Sequence, residues 1–140
     1  MHKYLLLAVS TLFAFTICAQ KTLVWPVLGM TTYNEDPQTN VLIPKFPPSL
    51  VEGYEGQEVI ITGYLIPVDV AANRYALSKN PFSSCFFCGN AGPETVIELQ
   101  FAKDPGRFAT DQYLPIQGVL QLNRRGSELF FTLKNAKIAG

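Results

Sequence analysis

The sequence holds one histidine, His2, and it falls inside an N-terminal stretch that reads as removable. A mature chain starting at Gln20 then has none. Without imidazole there is no Ser-His or Cys-His nucleophile pair, no histidine metal ligand and no histidine pH switch. Charge is sparse as well: 11 Lys and Arg stand against 11 Asp and Glu. A nearly neutral balance excludes the basic surface that a nucleic-acid binder uses to displace counterions. Arg124-Arg125, beside Gly126, reads as a solvated hairpin turn. No carboxylate pair stands out for acid–base work, no Gly-rich phosphate loop follows a strand, and Ser83 and Ser84 have no basic partner.

The N-terminus carries an address. Lys3 supplies a positive first region, Leu5 to Ile17 is an apolar run too short to span a bilayer, and Ala19 is a small residue at a cleavage point. Residues 1–19 are therefore expected to be a signal peptide and the protein to be exported, to a bacterial periplasm or cell envelope. Acylation of Cys18 would tether it instead, but Ile17 is bulky where that signal wants a small residue. Cleavage after Ala19 leaves Cys85 and Cys88 as the two cysteines and no transmembrane helix in the mature chain.

Residues 20–48 are expected to form an extended arm. Pro26 interrupts the segment around Trp25, which suits a short edge strand or a segment laid across a barrel end. Thr31 to Asn40 is polar and reads as a turn or loop. Pro44, Pro47 and Pro48 favour extended backbone and forbid a helix over Val41 to Pro48. The arm is expected to dock Trp25 and Phe46 on the domain. Ser49 to Gly56 reads as a single helical turn capped by Ser49, or as a loop.

Residues 49–140 read as the folded domain. From Gln57 to Pro67, Val59, Ile61 and Leu65 share one face, with Ile60, Thr62, Tyr64 and Ile66 opposite. Gly63 sits mid-strand, where a first strand that serves both sides of a small barrel must coil. Arg74 to Ser78 makes a second strand, Thr95 to Phe101 a third, and Tyr113 to Asn123, with Gly118 at its centre, a fourth. Leu129, Phe131 and Leu133 define the inward face of a fifth. Five strands with two internal glycines and almost no helical periodicity predict an all-β fold, a small five-stranded Greek-key barrel of the OB type. A small open sandwich is the alternative.

The run Gly56-Gln57-Glu58-Val59, the strand Gly63-Tyr64-Leu65-Ile66-Pro67, Tyr75-Ala76-Leu77, the cysteine loop and Pro115-Ile116-Gln117-Gly118-Val119-Leu120 together resemble an exported bacterial family of unknown function. The resemblance covers roughly Phe46 to Ile138 and implies an OB-like barrel and an exported location. That family's loop carries a cysteine and a nearby histidine ahead of a proline run. Here Cys85 matches the cysteine, Cys88 falls close to the histidine, and Gly89 to Pro93 replaces the prolines.

The stretch from Ser83 to Glu94 gathers the reactive side chains. Two thiols spaced as in Cys85-Phe86-Phe87-Cys88 can chelate a soft or borderline ion such as zinc or copper(I). The same spacing permits a disulfide, the usual fate of paired cysteines outside the cytosol. A closed zinc site needs further donors, and Glu94, Asp69 or Glu98 would have to supply them, with Glu94 best placed; copper(I) is content with fewer. A thioredoxin-type redox pair lacks its helix, since Gly89 to Pro93 cannot form one, and Gly89 stands where a haem-ligating histidine would follow. Phe82, Phe86 and Phe87 flank the thiols as a platform for a ligand or partner, or as packing under their own loop. The expectation is a non-enzymatic exported binding or accessory protein whose loop holds a metal or meets a partner of the envelope or a transport system. The alternatives are a structural interaction domain with a Cys85–Cys88 disulfide and, behind it, a thiol-redox protein.

Overall fold

A computed structural model describes residues 20–82, 91–126 and 128–140. Residues 1–19, expected to be a signal peptide, and Cys85, Phe86, Phe87 and Cys88 lie outside these. Along the chain come β1 (Lys21–Thr22), α1 (Trp25–Leu28), β2 (Thr32–Glu35), β3 (Leu42–Lys45), α2 (Pro48–Tyr54), β4 (Glu58–Asp69), β5 (Arg74–Ser78), β6 (Val96–Phe101), β7 (Gln112–Leu122) and β8 (Phe131–Ile138).

Five of these strands close a barrel in the order β4-β5-β6-β8-β7, with β7 returning to β4. All of its pairings are antiparallel except β6 with β8, which run parallel. This is the expected OB-type Greek-key barrel. Strand β4 serves both sides: it pairs with β7 from Glu58 to Leu65 and with β5 from Tyr64 onward. Gly63 lies at that handover. A Cβ there would sit 2.7 Å from the Ser78 carbonyl oxygen and 2.9 Å from Leu77 Cγ, so only a bare backbone lets β5 approach. Gly118 marks the matching irregularity in β7, where the register with β8 shifts between Gln117 and Val119.

Alternation fills the interior. Val59, Ile61, Leu65, Leu77, Ile97, Leu99, Ile116, Leu120, Phe131 and Leu133 are buried in one cluster. Leu129 departs from expectation: it is 38% exposed and precedes β8 instead of facing inward with it.

The arm is more structured than its prolines suggest. Trp25–Leu28 is a helical turn with Pro26 in its first positions, and α2 begins at Pro48, with Pro47 rather than Ser49 at its N-cap. Proline is tolerated there because the first N–H groups of a helix have no intrahelical acceptor. The polar stretch Thr31 to Asn40, expected to be a turn or loop, holds strand β2, which makes an antiparallel hairpin with β3 in the stretch expected to be extended. Its turn is tied by Asp36 N–H to the Val41 carbonyl and Asn40 N–H to the Asp36 carbonyl, with Asn40 in the left-handed region. Docking follows expectation: Trp25 Nε1 donates to the Thr62 carbonyl at 2.8 Å, and Phe46 stacks at 5.8 Å on Phe131. Leu23, Leu28 and Leu50 belong to the barrel core itself.

Candidate functional site

The cysteine loop springs from a closed base between β5 and β6. Lys79 N–H donates to the Thr95 carbonyl at 3.0 Å, joining the outgoing and returning chain. Phe82 N–H donates to Asp111 Oδ1, which fastens the outgoing side to the segment before β7. On the return, Pro93–Thr95 makes a 3₁₀ turn, with the Thr95 N–H and hydroxyl both donating to the Gly92 carbonyl.

Glu94 sits in that turn. Its side chain folds back over Gly92, where any Cβ would collide with the carboxylate. One oxygen, Oε2, is buried and has no hydrogen-bond partner among the described residues. Such an oxygen is costly unless something supplies positive charge or a donor. The other two carboxylates considered as completing ligands lie elsewhere. Asp69 ends β4 and accepts from Ala72 N–H at 3.2 Å, tying the β4–β5 turn. Glu98 stands in the middle of β6. Among the described residues no three His, Cys, Asp or Glu side chains gather into a metal-binding group.

Phe82 is placed where a platform is useful. It is 46% exposed and lines an apolar cavity of about 350 Å³ with Ile66, Pro67, Val68, Ala76, Val96 and Leu129. Ile66, Ala76 and Val96 occupy positions of β4, β5 and β6 that point away from the barrel interior, yet all three are buried and form a cluster separate from the main core. Apolar residues at the outward positions of three adjacent strands were the available sequence signal for this patch.

A second, polar cavity of about 410 Å³ continues along the same face and shares Val68, Ala76 and Leu129 with the first. Its floor is organised in rows by strand register. Arg74, Gln100 and Lys134 stand side by side across β5, β6 and β8; two residues along, Ala76, Glu98, Thr132 and Gln121 form the next row. A chain of hydrogen bonds runs into Glu98. Gln121 Nε2 donates to Asn123 Oδ1 at 2.7 Å, Asn123 Nδ2 to Thr132 Oγ1 at 2.9 Å, and the Thr132 hydroxyl to Glu98 Oε2 at 3.4 Å. Asn123 Nδ2 also donates to the Leu129 carbonyl at 2.6 Å, fixing the loop that borders both cavities. Reading the sequence alone missed this face, because its members are ordinary surface residues until register aligns them.

Fold and site together define an OB-type barrel with an open, two-part groove on its outward face, next to a clamped loop base. Comparison with known protein families, with curated proteins and with solved structures finds no match. A family of unknown function is consistent with that outcome. Among the described residues no helix is long and apolar enough to cross a membrane.

Proposed function

We propose that this is a non-enzymatic exported binding or accessory protein. Its Cys85–Cys88 loop holds a soft ion, zinc or copper(I), with Glu94 as the accompanying carboxylate, and presents Phe82 to a partner of the envelope or a transport system. The observation that carries the reading is the buried Oε2 of Glu94 at the loop's base, which has no partner among the described residues. A cation beside it would supply the compensation that the described protein groups do not. The thiolates supply the soft donors, and the carboxylate adds a hard one suited to zinc. The exposed Phe82 ring at the mouth of the apolar cavity supports the partner contact.

Native mass spectrometry of the reduced mature protein with added zinc or copper(I) tests this. One ion per chain is expected, lost in Cys85→Ser/Cys88→Ser and held more weakly in Glu94→Gln. Protein isolated lighter by the two hydrogens lost in a disulfide, and taking up no ion after reduction, overturns the metal site.

A further inference from the structure

We infer that the polar cavity and its apolar neighbour form one site for a short peptide with both termini free. The peptide's ammonium group sits at Glu98, its carboxylate at Arg74 and Lys134, and an apolar side chain enters the cavity bordered by Ile66, Val96 and Phe82. This goes beyond the metal reading and does not use the thiols.

Charge is the first argument. Arg74, Lys134, Glu98 and Glu128 all line the polar cavity, yet the ion pair formed among the described residues is elsewhere, between Arg124 and Glu55. The cations occupy one row and Glu98 the next. A complementary ligand is therefore dipolar, with its poles separated along the strands. Two residues of strand separate the rows by about 6.7 Å. An extended dipeptide, at roughly 3.3–3.6 Å per residue, spans that distance between its ends. A single amino acid is too short.

Preorganisation is the second. Thr132 and Asn123 are 2% and 5% exposed, and one branch of their hydrogen bonds runs from the Asn123 amide through the Thr132 hydroxyl to one oxygen of the half-buried Glu98. The Thr132 hydroxyl thus orients one carboxylate oxygen, while the other has no hydrogen-bond partner among the described residues. Aligned networks of this kind fix a binding group before the ligand arrives. The third argument is the apolar compartment. Ala76 and Leu129 border both cavities, so a side chain leaving the peptide beside Glu98 reaches the patch around Val96 directly.

Binding of a leucyl-alanine dipeptide to the mature full-length chain, followed by calorimetry and by amide chemical shifts, tests the assignment. Shifts are expected at Ala76, Val96 and Gln100. N-acetylation and C-amidation of the peptide should each weaken binding about tenfold or more, a difference of about 1.4 kcal/mol. Glu98→Gln should remove the penalty of acetylation, and Arg74→Ala/Lys134→Ala that of amidation, as coupled pairs do in a double-mutant cycle. Both variants must keep the dispersed spectrum of the parent. Equal affinity for free and doubly capped peptides, or no shifts on this face with any of them, overturns the proposal. The Cys85→Ser/Cys88→Ser protein should bind the dipeptide as the parent does, so failure of the metal reading leaves this result standing.

Discussion

Single side chains hold the two irregular places of the barrel. Gly63 is the tighter: its missing Cβ is the space in which the Ser78 carbonyl and the Trp25 ring lie. Gly63→Ala should destabilise the protein by about 1–3 kcal/mol through overpacking, read from the denaturant midpoint. Gly56, at φ +73° with nothing near its Cβ position, offers the contrast, since Ala there meets backbone strain alone. It should cost about 1 kcal/mol. Asn123 behaves differently, because its amide serves both the Leu129 carbonyl and the Thr132 hydroxyl. Asn123→Leu leaves those acceptors without their donor. A loss of about 1–3 kcal/mol is expected, with faster amide exchange in residues 128–130.

Among elements, the barrel strands could be read from sequence and the arm could not. Strand β4 announces itself because Val59, Ile61 and Leu65 recur at alternate positions, β7 because Ile116, Leu120 and Leu122 do, and Arg74 to Ser78 is bounded by turn residues on both sides. By contrast β2 is exposed at all four positions, so no alternation marks it; the turn at Asp36 and its pairing with β3 create it. The prolines of the arm exclude a helix interior but not a helix start, and Pro26 and Pro48 stand at helix starts. At the site, Glu94 could be named from its place after the cysteines. The Glu98 row could not, since strand register sets it.

One surface pair ties α2's end to the β7–β8 connection. Arg124 meets both carboxylate oxygens of Glu55 at 2.6 and 2.8 Å, and its guanidinium lies over the Phe46 ring. The Arg124 hydrogen bond holds the Glu55 carboxyl below its ordinary pKa. The lowered value means the pair stabilises the fold above the carboxylate range, and the contribution fades as pH falls through the folded-state pKa. With Arg124 more than half exposed, solvent screening limits it. Glu55→Gln should therefore cost about 0.2–1 kcal/mol near neutral pH, with the difference from the parent vanishing in acid.

At the level of the whole molecule, arm and barrel share one core. Leu23 and Leu28 are buried in the same cluster as the strand residues, and β1 pairs with β4. Leu28→Ala should cost about 2–5 kcal/mol, in a single unfolding transition seen alike by Trp25 fluorescence and by far-ultraviolet dichroism. Two separate transitions would mean that the arm is an appendage.

The placing of β8 between β6 and β7 has a consequence for synthesis. Until residues 131–138 leave the ribosome, β6 and β7 each present a raw edge, and no earlier strand can close the gap. The nascent chain must spend that interval unfinished, open to chaperones and to other chains. Ribosome-stalled chains of increasing length, made without residues 1–19, should become protease-resistant in one step, only after Ile138 has emerged.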